Sequence, residues 1–205
     1  MHASRRIILT GMASSLLAAC GSILPNSGPA PDVYTLTPKN TFRTDLPSVS
    51  WQLVVEEPVS AGGLDNNRVV IQPTPYEVKY LADARWSERT PKMIQTLLVE
   101  SFENSGKILS VARQSVGLRS DYNLKSELRE FQVEMPTGQS SPLVRVKLNV
   151  KIVRQPKQEI VASRNFEESI PARSVAMKDL VVAFDDALGK VLRRTVEWTI
   201  ALGKE

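Results

Sequence analysis

Residues 143–154 alternate apolar and polar side chains almost without a break, and this pattern constrains the fold more than any other stretch of the chain. The apolar positions are Val144, Val146, Leu148, Val150 and Ile152, and the polar positions are Arg145, Lys147, Asn149 and Lys151. Successive side chains of a β-strand point to opposite faces. The pattern therefore predicts a strand with one buried face and one face in water.

A second long strand is predicted over residues 159–170, after a turn at Pro156-Lys157. Two such strands joined by a short turn indicate an antiparallel hairpin. The basic row on the first strand could bind lipid phosphate or a partner protein. We instead expect a solvent-facing surface, paired with Glu167 or Glu168, because antiparallel sheets commonly keep one polar face.

Two segments have the spacing of amphipathic helices. The first begins at Thr90-Pro91, with Thr90 as the predicted N-cap, and ends at Gly106. The second runs from about residue 175 to residue 202, with Ser174 as its predicted N-cap. We expect its apolar stripe to pack on the sheet. The stripe comprises Met177, Leu180, Val181, Phe184, Leu188, Val191, Leu192, Thr195 and Trp198.

Shorter β-prone runs complete the predicted sheet, at residues 33–36, 51–57, 68–72, 77–81 and 108–112. Between residues 122 and 133 the alternation changes phase, which indicates either a β-bulge or a strand buried on both faces. The expected fold is α/β, with a mixed β-sheet that contains a long antiparallel hairpin and is packed by two main α-helices.

The N-terminal residues have the pattern of an export signal. Arg5-Arg6 precede an uncharged and mostly apolar run that ends in Leu17-Ala18-Ala19-Cys20, and Cys20 is the single cysteine. This resembles a bacterial lipoprotein signal, in which residues 1–19 are removed and the cysteine is acylated. The alternative is a buried core helix with a chance cysteine, which such a basic start and short apolar run disfavour.

The residues around the predicted cleavage site also indicate a location. Gly21 follows Cys20, and the lipoprotein resemblance implies that the absence of Asp there favours the periplasmic face of the outer membrane. Export by the general route and by the twin-arginine route both fit Arg5-Arg6. Residues 20–32 are rich in Gly, Ser and Pro and are predicted to be a tether, which leaves residues 33–205 as one domain.

Composition excludes several classes of function. The only histidine is His2, inside the predicted signal, so the mature chain would lack the imidazole of common nucleophilic catalysis and the ligands of typical zinc sites. The net charge of +4 falls when Arg5 and Arg6 are removed, and no stretch is both basic and aromatic-rich, so nucleic-acid binding is not expected. We predict no catalytic residue, cofactor or metal.

Carboxylate chemistry needs a separate argument, because acids are plentiful. Three adjacent pairs are present: Glu56-Glu57, Glu167-Glu168 and Asp185-Asp186. Neighbours on a strand or helix point in different directions, so adjacency does not make a catalytic pair. We expect all three pairs to lie on solvated faces.

The order of motifs resembles that of the ABC-type transport auxiliary lipoproteins, which include the paraquat-inducible C-type lipoproteins. After the lipoprotein signal, the matching segments are Tyr34-Thr35-Leu36, Val54 to Pro58, Tyr80-Leu81, Ala84-x-Trp86, Thr90-Pro91, Asp121 to Phe131, and a last helix with Ala183-Phe184, Ala187-Leu188 and Trp198. The resemblance implies an α/β domain. It supplies no catalytic residues.

The resemblance also implies partners: an ABC permease and ATPase of the inner membrane, and a mammalian-cell-entry substrate-binding protein, which move lipids between the two membranes. A phospholipid ligand and a homo-oligomer are further expectations. Two other functions remain open from the sequence, namely an envelope structural or assembly lipoprotein without lipid cargo and a small carboxylate-dependent hydrolase.

Overall fold

A computed structural model of the chain describes residues 30–114, 119–136, 138 and 141–203. Within these residues, nine strands and two helices follow one another: β1 (Asp32–Tyr34), β2 (Val49–Val55), β3 (Val59–Ser60), β4 (Arg68–Thr74), β5 (Glu77–Trp86), α1 (Thr90–Ser105), β6 (Ile108–Arg113), β7 (Tyr122–Glu134), β8 (Leu143–Arg154), β9 (Glu159–Pro171) and α2 (Met177–Leu202). These strands form one sheet. The mixed α/β fold predicted from the sequence is confirmed.

The centre of the sheet is β7. One of its edges pairs antiparallel with β8, which in turn pairs with β9. Its other edge is shared by β2, β3 and β4, each parallel to β7. Beyond them, β6 flanks β2, β5 flanks β4, and β1 lies along β5. β7, β8 and β9 are thus the long strands, and two branches of shorter strands extend from β7, one through β2 and β6 and one through β4, β5 and β1.

The predicted hairpin is confirmed, and its first strand spans the predicted residues. The phase change in β7 is a β-bulge: Leu128 pairs with Leu148 and Glu130 with Lys147, which leaves Arg129 without an opposite residue on β8. An extra residue in one strand shifts the alternation, so that the other alternate residues face inward after the bulge. The bulge therefore places Leu128 and Phe131 on the same buried face.

Both helices begin differently from the predictions. Arg89, not Thr90, is the N-cap of α1, because the Thr90 N–H and hydroxyl both donate to the Asn66 carbonyl and hold Thr90 in the first turn. Ala176, not Ser174, is the N-cap of α2. The Ser174 hydroxyl instead accepts the Ala176 N–H and donates to Asp179. The predicted end of α1 at Gly106 is confirmed, with a left-handed φ of 59°.

The core lies between the sheet and the two helices. α2 packs on β8 and β9, α1 packs on β6 and β2, and the helices contact each other. The aromatic centre of the core comprises Trp86 of β5, Phe131 of β7 and Phe184 of α2, all fully buried. Their ring centroids are 4.8–5.6 Å apart. The predicted packing of the α2 stripe on the sheet is confirmed.

Candidate functional site

The predicted lipidation site, Cys20, lies outside the described residues. The connection from β1 to β2, residues 35–48, is described, and we call it the strap. Leu36 and Leu46 of the strap are buried in the core. The polar contacts of the strap reach both helices.

The strap is hydrogen-bonded at three points along the helices. The Thr37 N–H and hydroxyl donate to Asp185 Oδ1 of α2 over 2.7 and 2.9 Å. The Lys39 N–H donates to the Ser101 hydroxyl of α1 over 2.9 Å. The Arg43 N–H donates to Glu197 of α2 over 3.0 Å. The strap is therefore fixed to both helices.

Asp185 is partly exposed and also holds the strap, a role that the expectation of a solvated face did not include. Its neighbour Asp186 is exposed and, among the described residues, pairs only with Lys190, one helical turn away, at 3.0 Å. The difference arises because adjacent helical residues point in different directions, and Asp185 points toward the strap. Sequence reasoning missed this role, since Thr37 is 148 positions from Asp185.

The other two acidic pairs are also held by neighbouring groups. Glu56 accepts from Asn123 at 3.0 Å, and Glu57 lies 3.2 Å from Arg89. Glu167 contacts Arg145 at 2.7 Å, and Glu168 contacts Arg194 at 2.9 Å. These four acids lie in ion pairs or hydrogen bonds, and Glu57 and Glu167 are also exposed, as expected. Glu167 contacts β8 whereas Glu168 contacts α2, so these two carboxylates do not face one substrate.

The basic row of β8 forms an ion-pair network on the solvent face of the sheet. Arg145 lies 2.9 Å from Glu134 on β7 and 2.7 Å from Glu167 on β9, and Lys147 lies 3.0 Å from Glu167. The hydrogen bonds from Lys147 and Arg145 lower the pKa of Glu167. The bond to Glu167 raises the pKa of Lys147, and the bond to Glu134 raises the pKa of Arg145. The expected pairing with Glu167 is confirmed.

The lowered pKa of Glu167 predicts an acid-sensitive contribution to stability. A carboxyl whose pKa is lower in the folded chain stabilises the fold above its unfolded pKa, about 4.3, and loses that contribution as the pH falls through the folded value. Glu167→Gln should therefore be less stable than the wild type at pH 7. Its free energy of unfolding, measured with urea, should also fall less between pH 5 and pH 3. Parallel pH curves for the two proteins would contradict the assignment.

The hairpin of β4 and β5 carries the most exposed aromatic side chain. Tyr76 at its turn is 98% exposed, and Val78 is 54% exposed. A cleft beside the turn is lined by Pro73, Pro75 and Met135, among others. Further along β5, Ala84 and Trp86 are buried whereas Tyr80 is partly exposed.

A pocket of about 180 Å³ lies between the C-terminal end of α2 and the sheet. Trp51 of β2 and Tyr122 of β7 form one wall, with their rings edge-to-face at a centroid distance of 5.3 Å. Thr199 of α2 and Arg154 of β8 also line it. Sequence reasoning did not find this pocket, because its residues come from distant elements.

In the described part of the chain, no group of three or more His, Cys, Asp or Glu could hold a metal ion. Neither of the two described helices is long and apolar enough to cross a membrane.

Known proteins similar to this chain place it in a family. Residues 34–196 match the family described as ABC-type transport auxiliary lipoprotein component. The crystal structure of XCC0632 from Xanthomonas campestris is 36% identical, with a TM-score of 0.80, and the match covers 84% of this chain and 97% of that one. A second solved structure, of an uncharacterized protein, shares the fold with a TM-score of 0.60, 17% identity and coverage of 85% and 97%.

A curated relative also matches most of the chain. The uncharacterized protein bll6063 from Bradyrhizobium diazoefficiens is 27% identical over 192 residues, which is 93% of this chain and 51% of that protein. The chain thus spans about half the length of that relative. The family match covers most of the strands and helices described above, from the last residue of β1 into the last turns of α2. The chain therefore belongs to the family of ABC-type transport auxiliary lipoprotein components.

Proposed function

We propose that this protein is an outer-membrane lipoprotein, anchored through Cys20 at the periplasmic face. There it would serve as the auxiliary component of an ABC and mammalian-cell-entry system that moves lipids between membranes. The family match over residues 34–196 is the observation that carries the proposal. The lipoprotein signal ending at Cys20 and Gly21 supports the location.

The protein would act by binding and not by turnover. Each adjacent acidic pair is engaged with a cation, an amide or the strap, which supports a structural use of these carboxylates. A tether at the outer membrane raises the effective concentration of the domain near any partner that reaches that membrane. Docking would then hold the transport assembly close to the outer membrane, with which the assembly exchanges lipid.

The outer end of the β4–β5 hairpin offers a contact surface for the transport complex. Exposed apolar groups that cluster on a folded domain commonly mark protein contacts. Tyr76, Val78 and Met135 are all exposed at this end of the sheet. Tyr76 at the turn makes little contact with the domain, so its replacement should leave the fold intact.

The proposal is tested by capture of the tagged protein from solubilised envelopes, followed by identification of the copurifying proteins. The wild type should retain a permease, an ATPase and a mammalian-cell-entry protein. Tyr76→Ser combined with Val78→Ser should reduce this recovery. The matched control is Val182→Ser, because Val182 is 69% exposed on α2, away from the hairpin. Copurification of none of these proteins with the wild type would contradict the proposal.

A deletion strain tests the role in the cell. Loss of the gene should sensitise the envelope to detergent or disturb its lipid balance, and the wild-type copy should restore it. Asp186→Asn should also restore it, because Asp186 contacts only Lys190 among the described residues. We choose this single change because Asp185→Asn would disturb the strap as well. A folded, anchored Asp186→Asn protein that fails to restore the envelope would argue for carboxylate chemistry.

A further inference from the structure

A groove of about 650 Å³ lies between the strap and α2. Residues 37–40 of the strap form one wall. The floor is a stripe of α2 that contains Asp185, Gly189 and Arg193, which are four residues apart and therefore face the same side of the helix. Pockets that hold small molecules commonly have volumes of about 300–1,000 Å³. The groove is therefore large enough for a ligand of the size of a lipid headgroup.

The wall of the groove is held in place by the folded chain itself. The Lys39 N–H donates to the Ser101 hydroxyl over 2.9 Å, and the Asn104 side-chain amide donates to the Lys39 carbonyl over 3.2 Å. Both partners belong to α1. The backbone of Lys39 is thus positioned before any ligand arrives, while its side chain is left to extend into the groove.

The groove carries more positive than negative charge that is open to a ligand. Its cations are Lys39, Lys190 and Arg193, and its acids are Asp185 and Asp186. Asp185 accepts hydrogen bonds from the strap, and Asp186 pairs with Lys190 at 3.0 Å. Neither Lys39 nor Arg193 pairs with an acid in the part of the chain that the structure describes. Lys39 is partly exposed and Arg193 is exposed, so a ligand can reach both side chains.

Gly189 leaves the floor between these two cations bare. Glycine is less favourable than alanine in a helix interior. A Cβ added at Gly189 would meet the Cδ of Lys39 at 3.9 Å, which is an ordinary van der Waals contact, so packing does not require a glycine here. The Lys39 stem lies over this floor with its ammonium two bonds beyond Cδ, and Arg193 follows one turn further along α2. The two cations therefore flank one open site.

We infer that this groove binds a phosphate ester, whose oxygens accept hydrogen bonds from Lys39 and Arg193 above Gly189. A phosphate presents oxygens in several directions and can bridge two cations, and a guanidinium matches its geometry with two parallel hydrogen bonds. An anionic lipid headgroup and a soluble phosphate ester offer the same chemistry. The site goes beyond the proposed docking role, which rests on the β4–β5 hairpin and does not depend on the groove.

Calorimetric titration of the full acylated chain in phosphatidylcholine nanodiscs tests the inference, with protein-free nanodiscs as the blank. The ligands are glycerol 3-phosphate, malonate, which carries a similar charge without phosphate, and glycerol. Glycerol 3-phosphate should bind saturably, and malonate and glycerol should bind far more weakly. Malonate that binds as tightly as the phosphate would mean that the groove collects any anion, which would overturn the inference.

Removal of both free cations tests their role. Lys39→Gln combined with Arg193→Gln should weaken binding of glycerol 3-phosphate about tenfold or more, because each change removes a charged hydrogen bond. The matched control is Lys151→Gln combined with Lys157→Gln, which removes the same charge from β8 and from the turn that follows it. This control should bind as the wild type does.

Gly189→Leu tests the position of the ligand, because it fills the floor of the groove without removing a charge. It should abolish binding of glycerol 3-phosphate and leave the melting temperature unchanged or raised, since leucine is a better helix former than glycine. A purely structural role for Gly189 would not produce this combination. The pair of charge variants keeps the inference testable if the larger side chain displaces the strap.

A second set of nanodiscs identifies the source of the phosphate. One preparation contains phosphatidylglycerol, and the other contains an equal amount of cholesteryl hemisuccinate, which is anionic through a carboxylate. If a lipid headgroup occupies the groove, glycerol 3-phosphate should bind more weakly in the first preparation than in the second. Equal affinity in the two would identify a soluble phosphate ester as the ligand.

Two further outcomes would overturn the inference. One is the absence of saturable binding of glycerol 3-phosphate to the wild type. The other is unchanged binding by the folded Lys39→Gln, Arg193→Gln protein. Neither outcome affects the copurification of the transport proteins, so failure of the groove and failure of the docking role are distinguishable.

Discussion

Phe184→Ala is expected to lower the free energy of unfolding by about 3–5 kcal/mol. Phe184 is fully buried and lies 5.1 Å from Trp86 and 4.8 Å from Phe131, measured between ring centroids. Removal of the ring leaves a cavity where α2 meets the sheet. The loss is a large part of the total stability of a domain, about 5–15 kcal/mol. Urea unfolding followed by circular dichroism measures it.

Asp186→Ala is the control for this change, because it lies two residues away on the opposite side of the same helix. Asp186 is exposed, and its ion pair with Lys190 is of the kind worth about 0.3–0.5 kcal/mol. We expect little change in the midpoint of unfolding. Equal, small effects of the two substitutions would mean that Phe184 does not join α2 to the sheet.

Cys20→Ala is expected to abolish membrane anchoring. Each buried methylene of an acyl chain contributes about 0.8 kcal/mol, so two or more chains hold a protein on a bilayer with little exchange. The wild type should lack residues 1–19 and carry acyl mass on Cys20, and the variant should be unprocessed or soluble. Intact-mass spectrometry of the membrane and soluble fractions measures both results.

Gly21→Asp provides the matched control for anchoring. This variant should still be acylated and membrane-bound, but it should move to the inner membrane if residue 21 determines sorting. A wild-type protein that retains Met1 and carries no acyl mass would contradict the lipoprotein assignment. A Cys20→Ala protein that fully restores the deletion strain would show that the anchor is not needed for function.

Elements with strong local patterns could be predicted from the sequence. The bounds of β8 agree because apolar and polar side chains alternate regularly from Val144 to Ile152. The β7 bulge was one of two predicted explanations, and the pairing with β8 decided between them. The end of α1 was predicted correctly because Gly106 tolerates a positive φ. For β8 and for the end of α1, the deciding information lies within a few residues of the feature.

Features that depend on distant residues could not be predicted. The N-caps were wrong because Asn66 binds Thr90 from a preceding loop and because Ser174 bonds Asp179. β5 extends to Trp86, beyond the predicted end at residue 81, and its last residues pair with β1. The strap and the pocket beside the C-terminal end of α2 likewise join residues far apart in sequence. No local periodicity carries such information.

The parallel pairing of β1 with β5 determines how this domain responds to a mechanical pull. Asp32 lies beside Ala84 and Tyr34 beside Trp86, so a force applied at the N-terminus along the strand axis shears the β1–β5 hydrogen bonds together instead of opening them one at a time. The load then passes to the bonds between Thr37 and Asp185. Tension between a membrane and a docked partner would thus be borne first by the edge strand and the strap, while α2 and the core remain folded.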